Sequence, residues 1–253
     1  MTDASPKAPR PADLWTALRS VLFNVVFYLN LVVFMIAGLP AFALPRRAAM
    51  PLLKAWARVS GWWLKLLAGT AVEVRGRGRL PGGPILVAAK HQSLWETFAL
   101  LTVFDDPAVV LKRELTWIPV FGWYTRKFGM IPVDRDAGPR ALKRMMAAAQ
   151  EALDDGRQVV IFPEGTRRAP GAAPAYKPGA AALYLRLGVP CVPVALNSGL
   201  FWPRRRFMRY PGTIVLEILD PIAPDLGRRR FSAELEERIE TATARLLTEA
   251  EGS

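Results

Sequence analysis

Histidine and cysteine occur once each among the 253 residues, as His91 and Cys191. A lone cysteine excludes an internal disulfide framework and fits a reducing compartment. Together the two exclude zinc sites built from the usual imidazole and thiolate ligands, and no carboxylate spacing asks for magnesium. The chemistry expected here therefore uses no metal and no cofactor. Neither a Walker-type glycine loop nor a dinucleotide fingerprint occurs, so a nucleoside triphosphate is not indicated. Acidic residues are also scarce: 22 Asp and Glu face 34 Lys and Arg, a formal charge of +12. That surplus suits an anionic partner, whether nucleic acid, an acidic membrane surface or a phosphorylated substrate. Half the residues are hydrophobic (51%). This is enough for a large core, and the length fits one sizeable domain with a short accessory segment.

Charge is missing altogether from 21–44, "VLFNVVFYLNLVVFMIAGLPAFAL". As one helix this run would be about 36 Å long, enough to cross a hydrocarbon core. It is too long for a signal-peptide h-region and has no small-residue cleavage site. Asn24 and Asn30 lie inside it, and Pro40 and Pro45 break its far end. A second helical stretch follows, with Leu52, Leu53, Trp56, Val59, Trp63 and Leu67 at helical spacing and Trp62 and Trp63 beside basic residues. Lys7, Arg10 and Arg19 precede the apolar run, and the cluster from Arg46 follows it. Positive charge on both sides gives no clear crossing. A helical hairpin dipping into one leaflet, both ends cytoplasmic, explains this as well as a full span does. The expected organisation is a flexible tail (1–12), membrane-associated helices (13–68) and an α/β domain (69–253).

From about residue 70, short β-branched runs at 71–74, 85–89, 108–111, 129–133, 158–162, 191–196 and 213–219 read as strands. Helical stretches near 94–104, 139–154 and 178–187 alternate with them, and a final helix starts after Ser232 as N-cap. The pattern predicts an α/β fold, a mixed, largely parallel central sheet flanked by helices, with the membrane-associated hairpin at its N-terminus.

Two constellations carry candidate chemistry. In "KHQSLWETF" (90–98), His91 falls at a strand-to-helix turn and Glu96 follows five residues later. Positions five apart on one helix point about 140° apart. The pair can meet only if His91 is in the turn and Glu96 in the first helical turn. The carboxylate then fixes one ring nitrogen and leaves the other as a base; a surface ion pair would look the same. In "VVIFPEGTRR" (159–168) a strand ends at Glu164, Gly165 permits a tight turn, Thr166 adds a hydroxyl and Arg167 a fork of donors matching phosphate. A capped turn with a paired arginine reads equally well. "FGMIPVDRDAG" (128–138) and "VPCVPVALNSG" (189–199) end in polar residues at strand termini. Cys191 lies within an apolar strand, a poor place for a nucleophile.

In this order, "HQSLWE", "GMIPVDR", "FPEGTRR" and "VPCVPVAL" resemble the four sequence blocks of the lysophospholipid acyltransferase family, of the 1-acylglycerol-3-phosphate acyltransferase type. The likeness covers roughly 70–200, with "LKREL" and "YKPG" also similar. Two residues depart from the family pattern: Glu96 stands for the usual aspartate, and Lys90 stands where asparagine is common. The resemblance implies acyl transfer from acyl-CoA or acyl-carrier protein to the sn-2 hydroxyl of lysophosphatidic acid, giving phosphatidic acid. His91 is then the base and Glu96 its partner. Arg167, Lys112, Arg135, Gly165 and Thr166 bind phosphate, and Glu164 and Pro193 support the motifs. The setting implied is the cytoplasmic face of a bacterial inner membrane, among anionic lipids. Another lyso-lipid, such as lyso-ornithine lipid, is an alternative acceptor; lipid A lauroyl- and myristoyl-transferases share the His-x4-acid spacing. The basic patches "PRRRFMRY" (203–210) and "RRR" (228–230) raise a nucleic-acid-binding membrane protein as the rival from another class. No reader motif appears, and such patches serve as well against anionic lipid, so no nucleic-acid partner is expected.

Overall fold

The computed structural model describes residues 13–134 and 138–252; the tail at 1–12 lies outside them. Seven strands form one sheet: β1 (Thr70–Arg75), β2 (Leu86–Ala89), β3 (Pro107–Lys112), β4 (Ile131–Val133), β5 (Gln158–Ile161), β6 (Cys191–Leu196) and β7 (Gly212–Ile218). Their order is β1-β7-β6-β2-β5-β3-β4. All neighbours are parallel except β6 and β7. The expected mixed, largely parallel sheet is thus the one observed.

Among the described residues seven α-helices surround it: α1 (Leu14–Ala37), α2 (Arg46–Trp63), α3 (Trp95–Val103), α4 (Phe121–Lys127), α5 (Gly138–Asp154), α6 (Gly179–Leu187) and α7 (Arg228–Glu249). The central strands β2 and β6 read as unbroken apolar runs because both faces are covered. Val87, Ala89, Val160, Val192 and Val194 pack with residues of α1, α2 and α3. Leu86, Ala88, Val159, Ile161 and Cys191 pack with residues of α5, α6 and α7.

The charge-free run breaks just ahead of Pro40: α1 ends at Ala37, and a 3-10 turn (Leu39–Ala43) follows. Gly38 makes the corner, where an added Cβ would lie 2.6 Å from the Tyr124 hydroxyl. The last helix begins at Arg228 behind Gly227, four residues before Ser232. Phe231 is fully buried and stacks on Tyr184 with ring centroids 3.7 Å apart. That burial outweighs the capping preference of Ser232.

α1 is long and apolar enough to cross a membrane by length and composition, yet it lies along the domain. Near its start, Ser20 Oγ accepts the Arg209 N–H at 2.8 Å, and Asn24 Nδ2 donates to the Phe207 carbonyl at 2.7 Å. Near its end, the Tyr124 hydroxyl donates to the Met35 carbonyl at 2.7 Å. These anchors are about 22 Å apart along the helix, so one face of α1 is fixed to the protein over most of its length. That face holds Phe23 and Phe27, packed edge-on to Trp202. Asn30, the other polar residue of the run, donates to Ser60 Oγ on α2 at 3.0 Å. The opposite face leaves Leu18, Val21, Leu22, Val25, Leu29, Val32, Val33 and Ile36 at least half exposed, and Trp62 and Leu66 continue the apolar surface. A contiguous apolar surface of this extent associates with a membrane.

Asn24 also accepts a hydrogen bond from Arg209 Nη2 at 2.8 Å, and burial pushes the Arg209 pKa down to about 10. Asn24→Leu is expected to leave this buried guanidinium short of an acceptor and cost about 1.5–3 kcal/mol. Thermal unfolding of the detergent-solubilised protein checks it; an unchanged midpoint means α1 contributes nothing to the fold through this contact.

Candidate active site

β2, β5, β6, β3 and β4 are mutually parallel, so their C-terminal ends share one rim, where α/β sheets bind ligands. β2 leads into His91, and β5 beside it leads into the turn at Glu164. On the other side, β6 leads into Asn197 and Ser198.

Glu96 in the first turn of α3 is fully buried. Its Oε1 lies 2.8 Å from His91 Nδ1 and accepts the N–H groups of Gln92 at 2.7 Å and Ser93 at 2.6 Å. Its Oε2 accepts the Ser198 hydroxyl at 2.8 Å. A carboxylate only accepts, so Nδ1 carries the proton and the Nε2 lone pair is left available. The imidazole also stacks on Phe162, centroids 4.1 Å apart, and its backbone carbonyl accepts the Arg168 N–H at 2.8 Å. α3 starts at Trp95, after the turn, so Glu96 reaches His91 from the first helical turn.

The neighbouring turn is tight: Gly165 sits at φ 65° and its N–H donates to the Phe162 carbonyl at 2.9 Å. That amide is therefore engaged, while those of Thr166 and Arg167 donate to no backbone carbonyl among the described residues. Glu164 points inward. Its Oε1 accepts from Lys90 Nζ at 3.0 Å, and Lys90 also reaches Glu240 on α7 at 2.7 Å. Tyr176 donates to the same Glu240 oxygen at 3.0 Å. Burial pushes the Glu164 pKa up, and Lys90 opposes that shift.

The chain matches the family model described as Acyltransferase over residues 71–197. It is 36% identical over 239 residues to a Pseudomonas aeruginosa protein named 1-acyl-sn-glycerol-3-phosphate acyltransferase, covering 92% of this chain and 91% of that one. The chain belongs to the acyltransferase family. A mouse 1-acyl-sn-glycerol-3-phosphate acyltransferase alpha is 32% identical over 165 residues, 64% of this chain and 58% of that protein. The crystal structure of the 1-acyl-sn-glycerophosphate (LPA) acyltransferase PlsC from Thermotoga maritima superposes with a TM-score of 0.74 at 25% identity, covering 90% of this chain and 97% of that one.

In this acyltransferase the rim unites His91, Glu96, Glu164, Gly165, Thr166 and Arg167 in the segments that follow two adjacent strands, β2 and β5. Lys112 ends β3, two strands from β2 or about 10 Å, and pairs with Glu114 at 2.7 Å. Arg135 lies outside the described residues. Pro193 is buried in β6 opposite Ala88. Its missing N–H faces the β7 side, where pairing slips one residue between Cys191–Ile222 and Val194–Ile218. A proline is tolerated at such a bulge. Burial pushes the Cys191 thiol up, away from thiolate chemistry. Ser198 and Glu240 were not singled out from sequence. Ser198 follows a strand end like many others, and Glu240 is one carboxylate on an acidic helix.

Lys90→Met should strand buried Glu164 and cost about 3 kcal/mol or more. Lys90→Met combined with Glu164→Gln should recover most of that loss, because the stranded carboxylate leaves together with its ammonium. Chemical denaturation of the three proteins measures it; a double variant no better than Lys90→Met rules out charge compensation.

Proposed function

We propose that this acyltransferase moves a fatty acyl group from a thioester to the sn-2 hydroxyl of lysophosphatidic acid, giving phosphatidic acid. The observation that carries the reading is the His91 imidazole, held by Glu96 at 2.8 Å with Nε2 free on the rim beside the Arg167 turn. The names of the bacterial and mammalian relatives supply the substrate class. His91 Nε2 takes the hydroxyl proton as the acceptor oxygen attacks the thioester carbonyl. Glu96 stabilises the imidazolium, and collapse of the tetrahedral oxyanion expels the thiolate, which recovers the proton. No acyl-enzyme is needed, since the acceptor is itself the nucleophile. The free amides of Thr166 and Arg167 are the candidates for oxyanion donors, and the Arg167 fork for the acceptor phosphate. Lys112 and Arg135 remain supplementary phosphate ligands in this reading.

Residues 13–68 are the membrane-seated part and 69–253 the catalytic part, on the cytoplasmic face of a bacterial inner membrane. The acyl donor is acyl-CoA or acyl-carrier protein. Support for a hairpin in one leaflet comes from α1, whose two ends are hydrogen-bonded to the same domain.

His91→Ala is expected to lower turnover about 10²–10⁴-fold with membrane association intact; acyl transfer from a labelled thioester to lysophosphatidate measures it. A folded variant with near-normal turnover eliminates His91 as base. Cysteines introduced as Asp13→Cys and Gly82→Cys in a Cys191→Ala background should both react with an impermeant maleimide from the cytoplasmic side. Labelling from opposite sides means a full span.

A further inference from the structure

Arg167 has neighbours of the same sign. The loop 203–207 follows the 3-10 turn Ser198–Leu200 and carries Arg204, Arg205 and Arg206. It is drawn against the Arg167 turn. An added Cβ on Gly199 would lie 2.8 Å from Pro170, and the Arg204 guanidinium donates to the Arg167 carbonyl. Burial, then the charges of Arg205, Arg167 and Arg168, pushes the Arg204 pKa down. Among the described residues none of these four arginines has a carboxylate within ion-pair distance. Arg168 Nε is buried with no hydrogen-bond partner. Arg205 holds φ 57°, a strained value for a residue with a side chain. Like charges gathered at such a cost are balanced when an anion binds between them.

The loop is also tied to the membrane-facing helix. Asn24 of α1 donates to the Phe207 carbonyl, and the Phe207 ring is half exposed.

We propose that Arg168 and Arg204 complete, with Arg167, a phosphate site that selects the phosphate monoester of the lyso-lipid acceptor over phosphodiester headgroups. The proposal rests on the acceptor reading above. A monoester carries about 1.5–2 negative charges near neutral pH, against one for a diester, so a cluster of guanidiniums favours it electrostatically. A soluble thioester bears phosphates as well, so the two substrates are varied separately.

The experiment uses the full chain in phosphatidylcholine vesicles containing lysophosphatidate or lysophosphatidylglycerol, with acyl-CoA as donor. Arg204→Gln should raise the apparent KM for lysophosphatidate about tenfold, the scale of one charge-assisted hydrogen bond. Its KM for acyl-CoA should be unchanged, and its preference for lysophosphatidate over lysophosphatidylglycerol should fall. Arg204→Lys should lie between the two. Arg229→Gln, the same charge change on the exposed start of α7, should alter neither KM. A rise confined to acyl-CoA, an equal rise in Arg229→Gln, or no change at all overturns the site. Wild-type protein inactive on lysophosphatidate would instead sink the acceptor reading, a separate result.

Discussion

Glu96 has no exposed surface, and its carboxylate meets four donors: one imidazole, two backbone amides and one hydroxyl. Burying a carboxylate without such partners costs several kcal/mol, so the surrounding chain must hold the donors in place. The Gln92 and Ser93 amides are supplied by the turn after β2, and Ser198 by the end of β6. The strand order, with β6 beside β2, is what brings the last of these within reach. The imidazole therefore takes its orientation from the sheet itself, through a single anion that the sheet surrounds.

A second buried network fixes the other half of the rim. Lys90 precedes His91 directly, and its ammonium ties Glu164 in the turn after β5 to Glu240 of the C-terminal helix. Lys90 thus draws a second carboxylate from another element. A lysine alone would leave a buried positive charge only partly matched by Glu164, and Glu240, part-exposed, supplies the rest. α7 is consequently part of the support of the site, although it lies beyond the segment matched by the family model.

The sequence made local relations legible. All seven strands were readable as β-branched runs, and the His91–Glu96 contact spans only five residues, so a turn followed by a helix was enough to foresee it. The tight turn after β5 was equally readable, because Gly165 lies within it. Contacts set by strand order were hidden: Ser198 meets Glu96 across 102 residues, and Glu240 meets Lys90 across 150. Nothing in either segment's own pattern distinguishes it from an ordinary strand end or a solvated helix. The break at the far end of α1 was readable from Pro40, and the close approach of Tyr124 to Gly38 adds a contact from a distant segment at the same corner.

Anchoring α1 to the domain at both ends has a kinetic consequence. In the one-leaflet arrangement proposed above, a helix held flat keeps the rim at a fixed height above the leaflet, so an amphipathic acceptor arrives by lateral diffusion rather than from bulk water. The concentration that governs encounter is then the mole fraction of acceptor among the surrounding lipids. Inert lipid added at constant bulk acceptor dilutes the substrate, and the product re-enters the same two-dimensional pool from which the acceptor came.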